Sequence, residues 1–157
     1  MERFDENPKI AEELPSEKET EHARKSVWIV DDNQEFIDAL QRWLSMEGDI
    51  GTDAKHFQEG EQAVNEFGQL AEQKGQMPNV ILMDYRLDEK VKDPKFRTGV
   101  EVVSELRTVA EKYGIQLPDI VAFSTEQSYV DELIKAGARS SLKKSYPIKV
   151  VEFIKSV

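Results

Sequence analysis

The chain has 157 residues, 39% hydrophobic and 33% charged, which suits one globular domain whose core needs no disulfide or metal staple. Its net charge of −10, from 21 basic and 31 acidic residues, disfavours phosphate backbones and anionic membranes, and no basic run offsets it. The absence of cysteine excludes disulfides, thiol nucleophiles and thiolate metal sites, and no apolar run is long enough to span a bilayer.

The N-terminus is acidic and polar and lacks the apolar stretch of a secretory signal, so a cytoplasmic location is expected. Residues 1–25 are dense in Glu and Lys and carry Pro8 and Pro15; they read as a solvated, flexible tail. The domain is expected over residues 26–157. The first apolar run, "VWIV" at 27–30, predicts a strand. Phe36, Ile37, Leu40, Trp43 and Leu44 then share one face of a helix, with Asn33 near its start and Gly48 just past its end. A second strand is placed within 50–57, and Ala63, Val64, Phe67 and Leu70 form a second helical stripe. "VILM" at 80–83 is the third strand. Val100, Val102, Val103, Leu106, Val109 and Ala110 form a third helix closed by Gly114. "IVAF" at 120–123 is the fourth strand, and Val130, Leu133 and Ile134 form a short helix closed by Gly137. A fifth strand ends near Leu142 to Lys144, and Val150, Val151 and Ile154 mark a last helix.

Continuous rather than alternating apolar runs suit strands covered on both faces. Strand and helix alternate five times, so an α/β fold with a five-stranded parallel sheet and right-handed crossovers is expected. There is no internal repeat. His22 and His56 have no ligand set around them and read as surface or satisfied residues.

Ligands of open parallel sheets bind beyond the carboxyl ends of the strands. Asp31 and Asp32 follow the first run, Asp84 the third, Ser124 and Thr125 the fourth, and Lys143 and Lys144 the fifth. Singly, each has a plain explanation: aspartates that cap a helix, a polar strand end, a solvated lysine pair. Together they place three carboxylates, a hydroxyl and an ammonium on one edge. Carboxylate oxygens of this kind suit a hard cation such as Mg2+.

These residues give the sequence a resemblance to the receiver domain of two-component response regulators, the CheY-like phosphoacceptor fold. The resemblance rests on the acidic pair Asp31–Asp32, on Asp84, on Ser124, and on the run from Gly137-Ala138 to Lys144. It implies a flavodoxin-like sheet of strand order 2-1-3-4-5. Asp84 becomes the expected phosphoacceptor, forming a mixed anhydride with a phosphoryl group from a sensor histidine kinase, a histidine phosphotransfer protein or a small acyl phosphate. Mg2+ is expected on Asp32, Asp84 and the backbone carbonyl of Arg86, with Asp31 acting through water. Lys144, with Lys143 as the other choice, would meet one phosphoryl oxygen, and the Ser124 hydroxyl another. Such a protein is a signalling phosphoacceptor rather than an enzyme. With no second domain before Val157, output through protein–protein contacts of a stand-alone receiver is the expectation.

The sequence departs from the family in four places. Residues 88–99 replace a short turn and read as a solvated insertion or a docking element. Ser141 stands where the family carries a switch aromatic. Ser145, not proline, follows Lys144, and Thr125 replaces a small residue. Two other readings remain: a receiver-like module that binds partners without phosphorylation, and an aspartate-nucleophile phosphatase. Arg86 stands where the phosphatase would place its acid/base aspartate, which argues against it. Arg86 and Glu126, of opposite charge, are expected to pair across the pocket mouth and slow hydrolysis.

Overall fold

The computed structural model describes residues 25–46, 52–88, 93–144 and 147–156. Strand and helix alternate through β1 (Lys25–Val30), α1 (Gln34–Met46), β2 (Thr52–Phe57), α2 (Gly60–Gln73), β3 (Val80–Asp84) and α3 (Gly99–Tyr113). The order continues with β4 (Asp119–Ser124), α4 (Gln127–Ala136), β5 (Ser140–Lys143) and α5 (Pro147–Ser156), and a single 3-10 turn, Pro94–Phe96, precedes α3. The strands form one parallel sheet in the order β2-β1-β3-β4-β5, the flavodoxin-like arrangement.

The period-two alternation of a strand divides the core between two layers. Val27, Ile29, Val80, Leu82, Val121 and Phe123 face α1 and α5, where Ile37, Leu40, Val150, Val151 and Ile154 cover them. Trp28, Val30, Ile81, Met83, Ile120 and Ala122 face α2, α3 and α4, and pack on Phe67, Val102, Val103, Leu106 and Leu133. The central strands are buried on both faces, which is why they read as unbroken apolar runs.

Helix ends follow local chemistry. Thr98 and Glu101 form a reciprocal capping box at the start of α3, and Gly114 ends it in the left-handed conformation at φ 64°. Gly137 ends α4. Helix α2 is closed by Lys74 at φ 57°, and the N–H of the following Gly75 donates to the Leu70 carbonyl at 2.8 Å. Gly48, Ser145, His22 and residues 1–24 lie outside the described residues. Among the described residues, no helix is long and apolar enough to cross a membrane.

The segment after β3 is not simply a solvated insertion. Arg86 and Thr98 form an antiparallel bridge, with Leu87 N–H donating to the Arg97 carbonyl at 2.9 Å and Gly99 N–H to the Tyr85 carbonyl at 2.7 Å. Leu87 and Phe96 are buried in the α2–α3–α4 layer. The insertion is thus tied at its neck two residues beyond Asp84 and anchored by one ring in the core.

Candidate functional site

Parallel register brings the ends of β1, β3, β4 and β5 to one edge: Val30 lies beside Met83, Asp84 beside Phe123, and Ser124 beside Lys143. The chain then turns away at each end, and the turns aim the polar side chains. Asp31 N–H still donates to the Phe57 carbonyl at 3.0 Å, so β1 pairing runs into the acidic pair. Asp31 Oδ1 accepts from Asn33 N–H at 2.8 Å, and Asn33 Oδ1 in turn accepts from Phe36 N–H at 3.1 Å at the start of α1. The half-buried His56 ring meets the Asp31 carbonyl at 2.8 Å, so this histidine is satisfied by the backbone.

Gly99 sets the position of Asp84 from the other side. A Cβ there would run into the Asp84 carbonyl and lie 2.8 Å from Met83 Cγ, so only glycine lets α3 start this close to the strand. Asp84 Oδ1 accepts from Tyr85 N–H at 2.9 Å. At the end of β4, Ser124 Oγ accepts from Glu126 N–H at 3.2 Å, which leaves the hydroxyl proton available to another acceptor.

Asp31, Asp32, Asp84 and Ser124 are all buried, an expensive arrangement for charges unless they are compensated. Lys144 supplies part of the compensation. Its Nζ lies 2.6 Å from Asp31 Oδ2 and 3.3 Å from Asp84 Oδ2, with 17% of the side chain exposed. Lys143 is exposed; with Ser141 it lines a separate cavity of about 190 Å³ on the far side of Ser124. Burial, and then the Asp31 charge, push the Asp84 carboxyl up to about 7 against the opposing pull of Lys144. Burial works against the Lys144 charge, but Asp84 and Asp31 outweigh it and raise its pKa.

The three aspartates present carboxylate oxygens all within 4.8 Å of one another. Asp31 Oδ2 is fully buried, and its charge is met by the ammonium rather than by a well-aimed hydrogen bond. Hard oxygen donors this close, with more negative charge than one lysine balances, fit a divalent cation such as Mg2+. In the bridge to Thr98, Arg86 occupies the position whose own N–H and C=O turn away from the partner strand, so the bridge leaves its carbonyl uncommitted.

A cavity of about 180 Å³ opens over Asp84, lined by Arg86, Ser124, Thr125, Glu126, Tyr129 and Lys144. Arg86 and Glu126 both reach this mouth but do not bridge it as expected. The Arg86 guanidinium bonds Asp88 Oδ2 at 3.1 Å, a partner two residues along its own loop. Three residues around the site escaped the sequence reading. Tyr129 forms part of the wall, and Phe36 and Phe123 flank Lys144. Both phenylalanines do lie on predicted elements, but their apolar character announced only core.

The sequence profile of the response regulator receiver domain matches residues 27–155. The chain belongs to the response regulator receiver family. No curated protein sequence matches it. Among solved structures it is similar to the receiver domain of the histidine kinase CKI1 from Arabidopsis thaliana, in its D1050A form, at 24% identity over 88% of this chain and 95% of that one, with TM-score 0.59. It is similar to a CheY-like receiver domain protein from Methanospirillum hungatei JF-1 at 18% identity, over 85% and 93% of the two chains, with TM-score 0.60. It is also similar to the phosphorylated cyanobacterial phytochrome response regulator RcpA at 18% identity, over 85% and 91%, with TM-score 0.59. At these identities the likeness is one of fold.

Proposed function

We propose that this receiver accepts a phosphoryl group on Asp84 from a phosphohistidine of a sensor kinase or phosphotransfer protein, and that it signals in the cytoplasm through protein–protein contacts. The observation that carries the reading is the convergence of Asp31, Asp32 and Lys144 on the Asp84 carboxyl beneath an open cavity.

An Asp84 carboxylate oxygen attacks phosphorus as the phosphorus–nitrogen bond of the donor breaks, and the electron pair leaves with the imidazole. Such transfer needs positioning and charge neutralisation more than bond-making groups. Lys144 already sits against Asp84, so its ammonium is at hand for a phosphoryl oxygen. Ser124 keeps its hydroxyl proton for another. Asp31, Asp32, Asp84 and the Arg86 carbonyl would hold Mg2+, which supplies positive charge to the transferring group when bound. The carboxyl pKa near 7 leaves part of Asp84 protonated at neutral pH, and positive charge nearby draws it to the reactive carboxylate.

Intact-mass analysis after incubation with acetyl phosphate and Mg2+ tests this directly. Wild type gains one phosphoryl mass and Asp84→Asn gains none; equal labelling of both overturns the assignment. A phosphorylation-independent binding module is the second reading, favoured by Ser141, which is exposed where the resemblance calls for a switch aromatic. Absence of labelling in wild type would support it.

A further inference from the structure

Lys144 leaves the sheet with little to fix it. It follows β5, a four-residue strand whose Ser140, Ser141 and Lys143 are exposed, and its own N–H reaches the Ser124 carbonyl only at 3.4 Å. A lysine side chain held at one end also carries the largest rotamer entropy to lose. Yet its Nζ comes to rest at one place, between the carboxylates on one side and two aromatic rings on the other. The ammonium lies over the Phe36 ring at 5.3 Å from its centroid and over the Phe123 ring at 5.6 Å. The rings touch each other, with centroids 5.4 Å apart and planes inclined at 58°.

The two rings come from different elements of the same layer. Phe36 is half-buried on the first turns of α1, the helix that starts directly behind Asp31 and Asp32. Phe123 is fully buried on β4, in register between Asp84 on β3 and Leu142 on β5. An aromatic face attracts a cation through its quadrupole, more strongly where water is excluded. The rings therefore offer Lys144 a seat that does not depend on Asp31 and Asp84. A divalent cation or a phosphoryl group changes the charge on those carboxylates; it leaves the rings as they are.

We propose that Phe36 and Phe123 are positioning residues that hold the Lys144 ammonium at the phosphoacceptor by cation–π contact while the carboxylates are otherwise engaged. This rests on the proposed role of Asp84. In the step tested, the phosphorus–oxygen bond of acetyl phosphate breaks, acetate leaves with the electron pair, and the bond to Asp84 oxygen forms.

Phe36 is the residue to vary, because Phe123 is fully buried and its loss disturbs the core. Leucine at 36 keeps apolar bulk and removes the quadrupole; tyrosine keeps both. The rate of labelling by acetyl phosphate with Mg2+ is expected to fall roughly threefold to tenfold in Phe36→Leu, the span of a partly desolvated cation–π contact, and to recover in Phe36→Tyr. In a Lys144→Ala background, Phe36→Leu is expected to have no further effect, since the lysine carries the coupling. An equal loss in both backgrounds, or none in either, overturns the proposal. A second readout needs no activity and no variant. The Lys144 ε-methylene protons of the unphosphorylated protein should resonate upfield of ordinary lysines through the ring currents; a shift at the ordinary lysine position overturns the seat. If wild type takes no label, the proposed function falls, and this spectrum still decides where the ammonium sits.

Discussion

Tyr85 and Tyr129 stack face to face, with ring centroids 4.0 Å apart and planes within 4° of parallel. Tyr85 is the residue after Asp84, and its hydroxyl donates to Glu132 Oε1 at 2.9 Å. The turn that holds Asp84 is thereby joined to α4 by a ring pair and a hydrogen bond on the same helix. Stacked rings contribute about 0.5–1.5 kcal/mol beyond the area they bury. In urea unfolding, a double-mutant cycle of Tyr85→Leu and Tyr129→Leu should return a coupling energy in that range, and a coupling near zero would show the rings to be independent.

The buried Asp84 carboxyl makes stability depend on pH. Its pKa rises from 3.8 to about 7 in the folded protein. Between those values the folded state binds more protons than the unfolded one, so stability falls as pH rises through this window and levels off above it. In metal-free buffer, Asp84→Asn should melt higher than wild type above pH 7, and the two should converge as pH falls below about 4. Equal pH slopes for the two proteins would mean that Asp84 carries no such burden.

Mg2+ should relieve the same burden. A ligand present at a hundred times its Kd, bound only by the folded state, adds about 2.7 kcal/mol. Mg2+ titration should therefore raise the melting temperature of wild type, and Asp32→Ala should remove most of the rise. Retention of the full rise in Asp32→Ala would place the cation elsewhere.

Gly99 is the position where a single methyl group should cost most. The added Cβ of Gly99→Ala meets the Asp84 carbonyl, Met83 Cγ at 2.8 Å and Leu133 Cδ2 at 3.2 Å, so backbone must shift to admit it. Overpacking of this kind costs about 1–3 kcal/mol. The variant should unfold at lower urea and, on the proposed function, label more slowly with acetyl phosphate, because α3 must withdraw from Asp84. Wild-type stability and rate would show that the close approach is adaptable.

The fold was legible wherever one pattern decided the environment. The runs at 27–30, 80–83 and 120–123 are strands because both faces are covered, and continuous apolar sequence is what such strands require. Strand β2 was harder to place, because "TDAKHF" is an edge strand that buries Phe57, half-buries Ala54 and His56 and exposes Asp53 and Lys55. The polar cluster at the strand ends was visible because topology alone brings those ends together. What surrounds it was not. That Phe36 turns its ring to Lys144, or that Phe96 returns from the insertion to the core, depends on side-chain directions that no periodicity encodes. The expected bridge from Arg86 to Glu126 failed for a related reason. Opposite charge near one cavity does not choose a partner, and Asp88 was nearer along the chain.

The closed neck between Arg86 and Thr98 separates two demands on one stretch of chain. Below it, Asp84 must hold its place to fractions of an ångström. Above it, chain length matters little, since each doubling of a loop costs only about 0.6 kcal/mol in closure entropy. The neck is therefore a natural splice point. Peptides grafted beyond it, such as an epitope, a fluorophore site or a recognition helix, would ride within a few residues of Asp84 without entering its geometry, and on the proposed function would turn this receiver into a sensor of its own phosphorylation.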